Sequence, residues 1–76
     1  MFSKEIFGSR ILELRKEHRE NQEALAGLLG VTRTQVSDME NGKRTTTVEK
    51  LSAICDHYNV TADYLLGLTN ERRPLK

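Results

Sequence analysis

Apolar residues in this chain recur every three or four positions, the spacing of one helix face. Phe7, Ile11 and Leu14 form the first such stripe. They predict a helix from about Ser3 to Arg19, with Ser3 as its N-cap and Leu12 off the stripe. Leu25, Ala26 and Leu29 share the next face and predict a second helix, Gln22 to Leu29. Asn21 is placed to cap it, and Glu23 sits near its positive end. Gly27 within it costs about 1 kcal/mol relative to alanine, and reads better as a tolerated surface residue than as a packing contact. Gly30-Val31-Thr32 is a three-residue break, after which Thr32 caps a third helix from Arg33 to about Asn41. Val36 and Met39 turn inward there.

Thr45, Thr46 and Thr47 each offer a cap for a fourth helix, Val48 to Tyr58, and Thr46 with Glu49 has capping-box spacing. Its expected apolar face is Val48, Leu51, Ile54, Cys55 and Tyr58. Asn59 suits a left-handed helix end, and Thr61 caps a short fifth helix, Ala62 to Leu66. Gly30, Gly42 and Gly67 each follow a helical pattern, as C-terminal turns require. No strand alternation, repeat or low-complexity run interrupts this reading. The expected fold is all-α, a compact bundle of five short helices over residues 1–67, followed by a polar tail or linker, 68–76, expected to fray.

A chain of 76 residues buries only about 60% of the surface it exposes when unfolded, so locally formed helices are its cheapest core. Apolar content of 37% against 30% charged places it among globular rather than disordered chains. No stretch approaches the roughly 20 apolar residues of a membrane span. Met1 to Glu5 begins no signal sequence, so no membrane partner is expected. A lone cysteine, Cys55, excludes an internal disulfide, fits a reducing cytoplasm and reads as a small core residue. His57 beside it makes only Cys-x-His, so neither a metal nor a cofactor is expected. His18 reads as a solvated residue near the end of the first helix. No serine–histidine–acid set, cysteine–histidine pair or phosphate loop is present, and the chain is not expected to be an enzyme.

The net charge of +1 is too small to signal a polyanionic partner by itself, so any positive surface has to be local. The informative segment runs from Gln22 to Arg44. Two short helices joined by a three-residue turn containing Gly30 make a helix-turn-helix over residues 22–41. The second of the pair turns Arg33, Thr34, Ser37 and Asp38 outward. A helix fits the major groove, where base edges present distinct donor and acceptor patterns, and its N-terminal residues reach them. Arginine can bond guanine bidentately and a threonine methyl can pack on thymine. Asp38 needs a task to be tolerated near phosphates: it accepts from a cytosine amino group, or it orients Arg33.

Gln22-Glu23-Ala24-Leu25-Ala26, Leu29 to Arg33 and Val36 to Arg44 together closely resemble the Cro and lambda-repressor (XRE) family of helix-turn-helix proteins. The likeness continues through Leu51, Ile54, Val60 to Asp63 and Leu65-Leu66, covering roughly residues 7 to 67. Its specific part is Glu40-Asn41-Gly42-Lys43 in register with Gln22. The resemblance implies that Gln22 donates to a phosphate and braces the third helix. It implies that Arg33, Thr34 and Asp38 face bases, with Ser37 on base or phosphate. Asn41 and Gly42, through their backbone, then hold phosphates with Lys43 and Arg44. It further implies an ion pair between Arg15 and Glu40.

These readings converge on a regulator, a repressor by its small size, that binds double-stranded DNA as a homodimer on an inverted repeat. The rival is a protein-interaction module or antitoxin of the same fold. Leu12 and Phe2, with Tyr64, Leu68 and the tail, are candidates for a subunit contact; the fifth helix and tail are the favoured side and the Leu12 side is second.

Overall fold

Every helix begins at a side-chain cap. In the computed structural model, which describes residues 1–76, the five helices are α1 (Lys4–Glu17), α2 (Gln22–Leu29), α3 (Arg33–Glu40), α4 (Val48–Tyr58) and α5 (Ala62–Leu65). Ser3, Asn21, Thr32, Thr47 and Thr61 each accept a hydrogen bond from a backbone N–H three residues on. Thr32 and Gln35 close a full capping box, with Gln35 Oε1 accepting from the Thr32 N–H at 2.9 Å. At α4 the cap is Thr47 rather than Thr46, so the Thr46–Glu49 spacing was a coincidence of three adjacent threonines.

The stripes meet in one core of Phe7, Ile11, Leu14, Leu25, Val36, Met39, Ile54, Tyr58, Val60 and Leu65, with Cys55 at its edge. α1 and α2 both pack on α3, and α4 with α5 closes the remaining side. α1 and α3 cross at Gly8. A Cβ built there would lie 2.1 Å from the Met39 carbonyl oxygen, so only glycine lets the two backbones meet. Gly27, by contrast, faces open space.

Three expectations give way. Val48 does not join the α4 core face: it is 77% exposed, because the first turn of α4 projects past the bundle. The tail is folded back rather than frayed. Arg72 bonds Glu13 and Glu17, Arg10 donates to the Thr69 carbonyl at 2.7 Å, and the Leu75 and Lys76 N–H groups reach Asn59 Oδ1. Tyr64, offered above as a subunit contact, is buried, with the Arg10 guanidinium over its ring at 4.3 Å and Arg72 beyond. His18 is exposed at the end of α1, as expected, with its Nδ1 2.9 Å from the Leu14 carbonyl and its ring edge-on against Tyr58. No helix is long and apolar enough to cross a membrane.

Candidate nucleic-acid interface

The outer side of α3 is free. Arg33 and Thr34 are exposed, and Ser37 and Asp38 are partly so. Val36, Met39 and Glu40 on the opposite side are buried. Within each set the residues fall one, three or four apart, the spacing of a single helix face, so the solvent-facing set and the core-facing set occupy opposite sides of α3. Gln22, Arg33, Thr34 and Ser37 surround a shallow polar hollow of about 140 Å³ at the α2–α3 junction.

The end of α3 is fixed by its backbone. Gly42 has φ +75°, its N–H bonds the Met39 carbonyl at 3.1 Å, and the Lys43 N–H bonds Asp38 at 2.8 Å. This pair of bonds is a Schellman turn, and the left-handed position within it suits glycine. The turn lifts Lys43 and Arg44 into solvent beside the exposed end of Asn41. On the far flank of α3, Arg44 and Lys50 border a second hollow with Thr45, Thr46 and Thr47.

Behind this face lies a polar brace. Arg15 Nε donates to Glu40 Oε2 at 2.6 Å and its Nη2 to Oε1 at 3.1 Å. Arg15 Nη1 reaches the Glu20 carbonyl at 2.7 Å, and Gln22 Nε2 donates to Glu40 Oε1 at 3.0 Å. The Glu40 hydrogen bonds, opposed in part by burial, hold Arg15 still more firmly protonated than usual. Gln22 therefore spends its amide on the third helix, which leaves its carbonyl and remaining N–H for anything outside.

Glu20 forms the other end of the brace. It accepts from the Tyr58 hydroxyl at 2.7 Å and lies 2.6 Å from His57 Nε2. Burial pushes the Glu20 carboxyl up, but the bonds from Tyr58 and His57 outweigh it and hold the group below the ordinary carboxylate range. Burial also pushes up the Tyr58 hydroxyl and the Cys55 thiol, so both stay protonated at neutral pH.

The structure thus brings Gln22, Arg33, Thr34, Ser37 and Asp38 to one surface and sets Asn41, Gly42, Lys43 and Arg44 at its end. One assignment changes. The carboxylate that pairs with Arg33 is Glu23, with Oε1 3.1 Å from Arg33 Nε, and not Asp38. Sequence reasoning gave Lys50 and Gly8 no role, and read Glu23 only as a first-turn acid of α2; all three matter here. A glycine inside a strong helical stripe was the available signal for Gly8. Nothing in the linear sequence marks Glu23 as a partner of Arg33, because the pairing depends on the angle between α2 and α3.

A helix-turn-helix family model matches residues 11–65. The HTH-type transcriptional regulator YobD of Bacillus subtilis is 30% identical over 69 residues, which are 91% of this chain and 62% of that protein. Antitoxin PezA of Streptococcus pneumoniae is 30% identical over 93% of this chain and 45% of its own length. This chain therefore spans about half the length of the curated relatives it matches. Among solved structures, the P22 c2 repressor in complex with a synthetic operator superposes with a TM-score of 0.75 at 31% identity. That match covers 80% of this chain and 92% of the repressor chain.

Proposed function

The chain belongs to the XRE-type helix-turn-helix family of transcriptional regulators, and from that premise we propose that it binds duplex DNA sequence-specifically, with α3 in the major groove. The observation that carries this reading is the division of α3: four polar side chains at its open face, and a buried, ion-paired back that keeps it rigid. Arg33, Thr34, Ser37 and Asp38 read bases. Gln22, Lys43, Arg44 and the backbone at Asn41 and Gly42 hold phosphates, which supply affinity without sequence information. Likeness to a repressor solved on its operator supports repression as the outcome.

One α3 reads only a few base pairs, so the active form in this reading is a homodimer on an inverted repeat. The molecule measures 28 × 26 × 22 Å, and two side by side match half-sites about 34 Å apart. Because the tail and Tyr64 surface is occupied from within, the second copy is assigned to an exposed apolar groove of Phe2, Val48, Leu51 and Leu66. That groove is also lined by Thr45, Thr46 and Thr47 of the loop following α3. Selection of bound sites from a randomised duplex pool tests the reading. A recovered motif with dyad symmetry is the expected result. Recovery of no motif overturns it.

The likeness to antitoxin PezA favours a second reading, a module that grips a protein partner and touches DNA weakly. Salt separates the two. Binding carried by phosphates weakens with a log–log slope of about −0.9 per neutralised phosphate, whereas a flat response supports the second reading.

A further inference from the structure

Glu23 is an anomaly in a surface built for DNA. It sits in the first turn of α2, next to Gln22, with its side chain 61% exposed, where phosphates would repel it. As a surface ion pair it adds little to folding. Its nearest approach to Arg33 is nevertheless at a defined place: Oε1 lies 3.1 Å from Nε, on the flank of the guanidinium. Arginine has five N–H donors in a rigid plane. A carboxylate beside Nε biases the orientation of that plane and directs the Nη1 and Nη2 edge to other partners. That edge is the one that bonds O6 and N7 of guanine together.

We propose that Glu23 is a positioning residue for specificity: it holds the Arg33 guanidinium by Nε so that its free edge meets a guanine in the major groove. The inference rests on the DNA-reading role of α3. It gives Glu23 a part that the sequence had offered to Asp38, and leaves Asp38 to accept from a base. Arg33 then docks with its rotamer biased in advance, and a wrongly placed base gains less from a guanidinium already turned toward guanine.

The test uses the full chain. Sites selected by the wild-type protein, compared with those of Arg33→Ala, identify the base pair that Arg33 reads. Discrimination at that pair is then measured for Glu23→Gln and Glu23→Asp by titrating the selected site and its single-base variants. Glu23→Gln is expected to lower discrimination at that pair by about threefold to tenfold, a part of what one whole bidentate contact supplies. It should leave the other positions unchanged, and should hold or tighten binding to unrelated duplex, since a carboxylate near phosphates is gone. Glu23→Asp should restore part of the loss, and the melting temperature should not move. Unchanged discrimination in Glu23→Gln, or an equal loss at every position, overturns the proposal while the wild-type motif stands. A wild-type protein that selects no motif removes the DNA reading itself, and this inference with it.

Discussion

Arg15 on α1 closes on Glu40 at the end of α3 through two hydrogen bonds, with side-chain exposures of only 11% and 4%. The pair ties the helix that faces solvent to the one that anchors it. Removing one partner strands a charge with little water to receive it. Glu40→Ala and Arg15→Ala are each expected to cost about 3–5 kcal/mol. The double replacement Arg15→Met with Glu40→Leu should cost much less than the sum, because no charge is left behind. Urea denaturation of the four proteins checks this; additive losses would show that the two residues act separately.

Gly8→Ala tests the crossing of α1 and α3. The new methyl meets backbone, which cannot rotate away, so a loss of at least about 1–3 kcal/mol is expected. Gly27→Ala is the matched control. It enters open space within a helix and should stabilise by up to about 1 kcal/mol. Thermal melts of both variants distinguish a helix-propensity effect, which moves both the same way, from the close approach, which moves them oppositely.

Acid should loosen the α1–α2 corner. Glu20 titrates below its unfolded value in the native state, so its contribution is complete above the unfolded carboxylate pKa, about 4.3, and is lost as pH falls through the lower native value. Glu17, held down chiefly by its hydrogen bond from Arg72, acts in the same direction. The stability gap between wild type and Glu20→Gln should be widest near about pH 6 and shrink toward about pH 3. A gap independent of pH would mean that Glu20 acts through shape alone.

Base and phosphate contacts should separate by their response to sequence. Arg33→Ala is expected to cost about 1–3 kcal/mol on the best site and far less on random duplex. Lys43→Ala should weaken both alike and reduce the salt slope by about 1. A Lys43 loss confined to one site would move it among the base-reading residues.

Much of the fold was legible because it is written locally. Ser3, Asn21, Thr32 and Thr61 mark helix starts within four residues of the bonds they make, and the stripes of Phe7, Ile11 and Leu14 or Val36 and Met39 follow helical geometry alone. What stayed hidden depends on distance in sequence. The exposure of Val48 reflects where the bundle ends, not what α4 contains. The fold-back of the tail needs Glu13, Glu17 and Asn59, which are 16 to 59 residues away from their partners. The face of α3 was readable from its own periodicity, while the Glu23 contact required knowing how two helices cross.

The five hydroxyl and amide caps have a bearing on time as well as shape. Each helix can begin to form before its neighbours arrive, since its starting point is decided by residues already adjacent in the chain. All-helical domains dominated by such short-range choices assemble in microseconds to milliseconds. A molecule opened by heat or by acid would therefore recover the exposed face of α3 on that same short timescale.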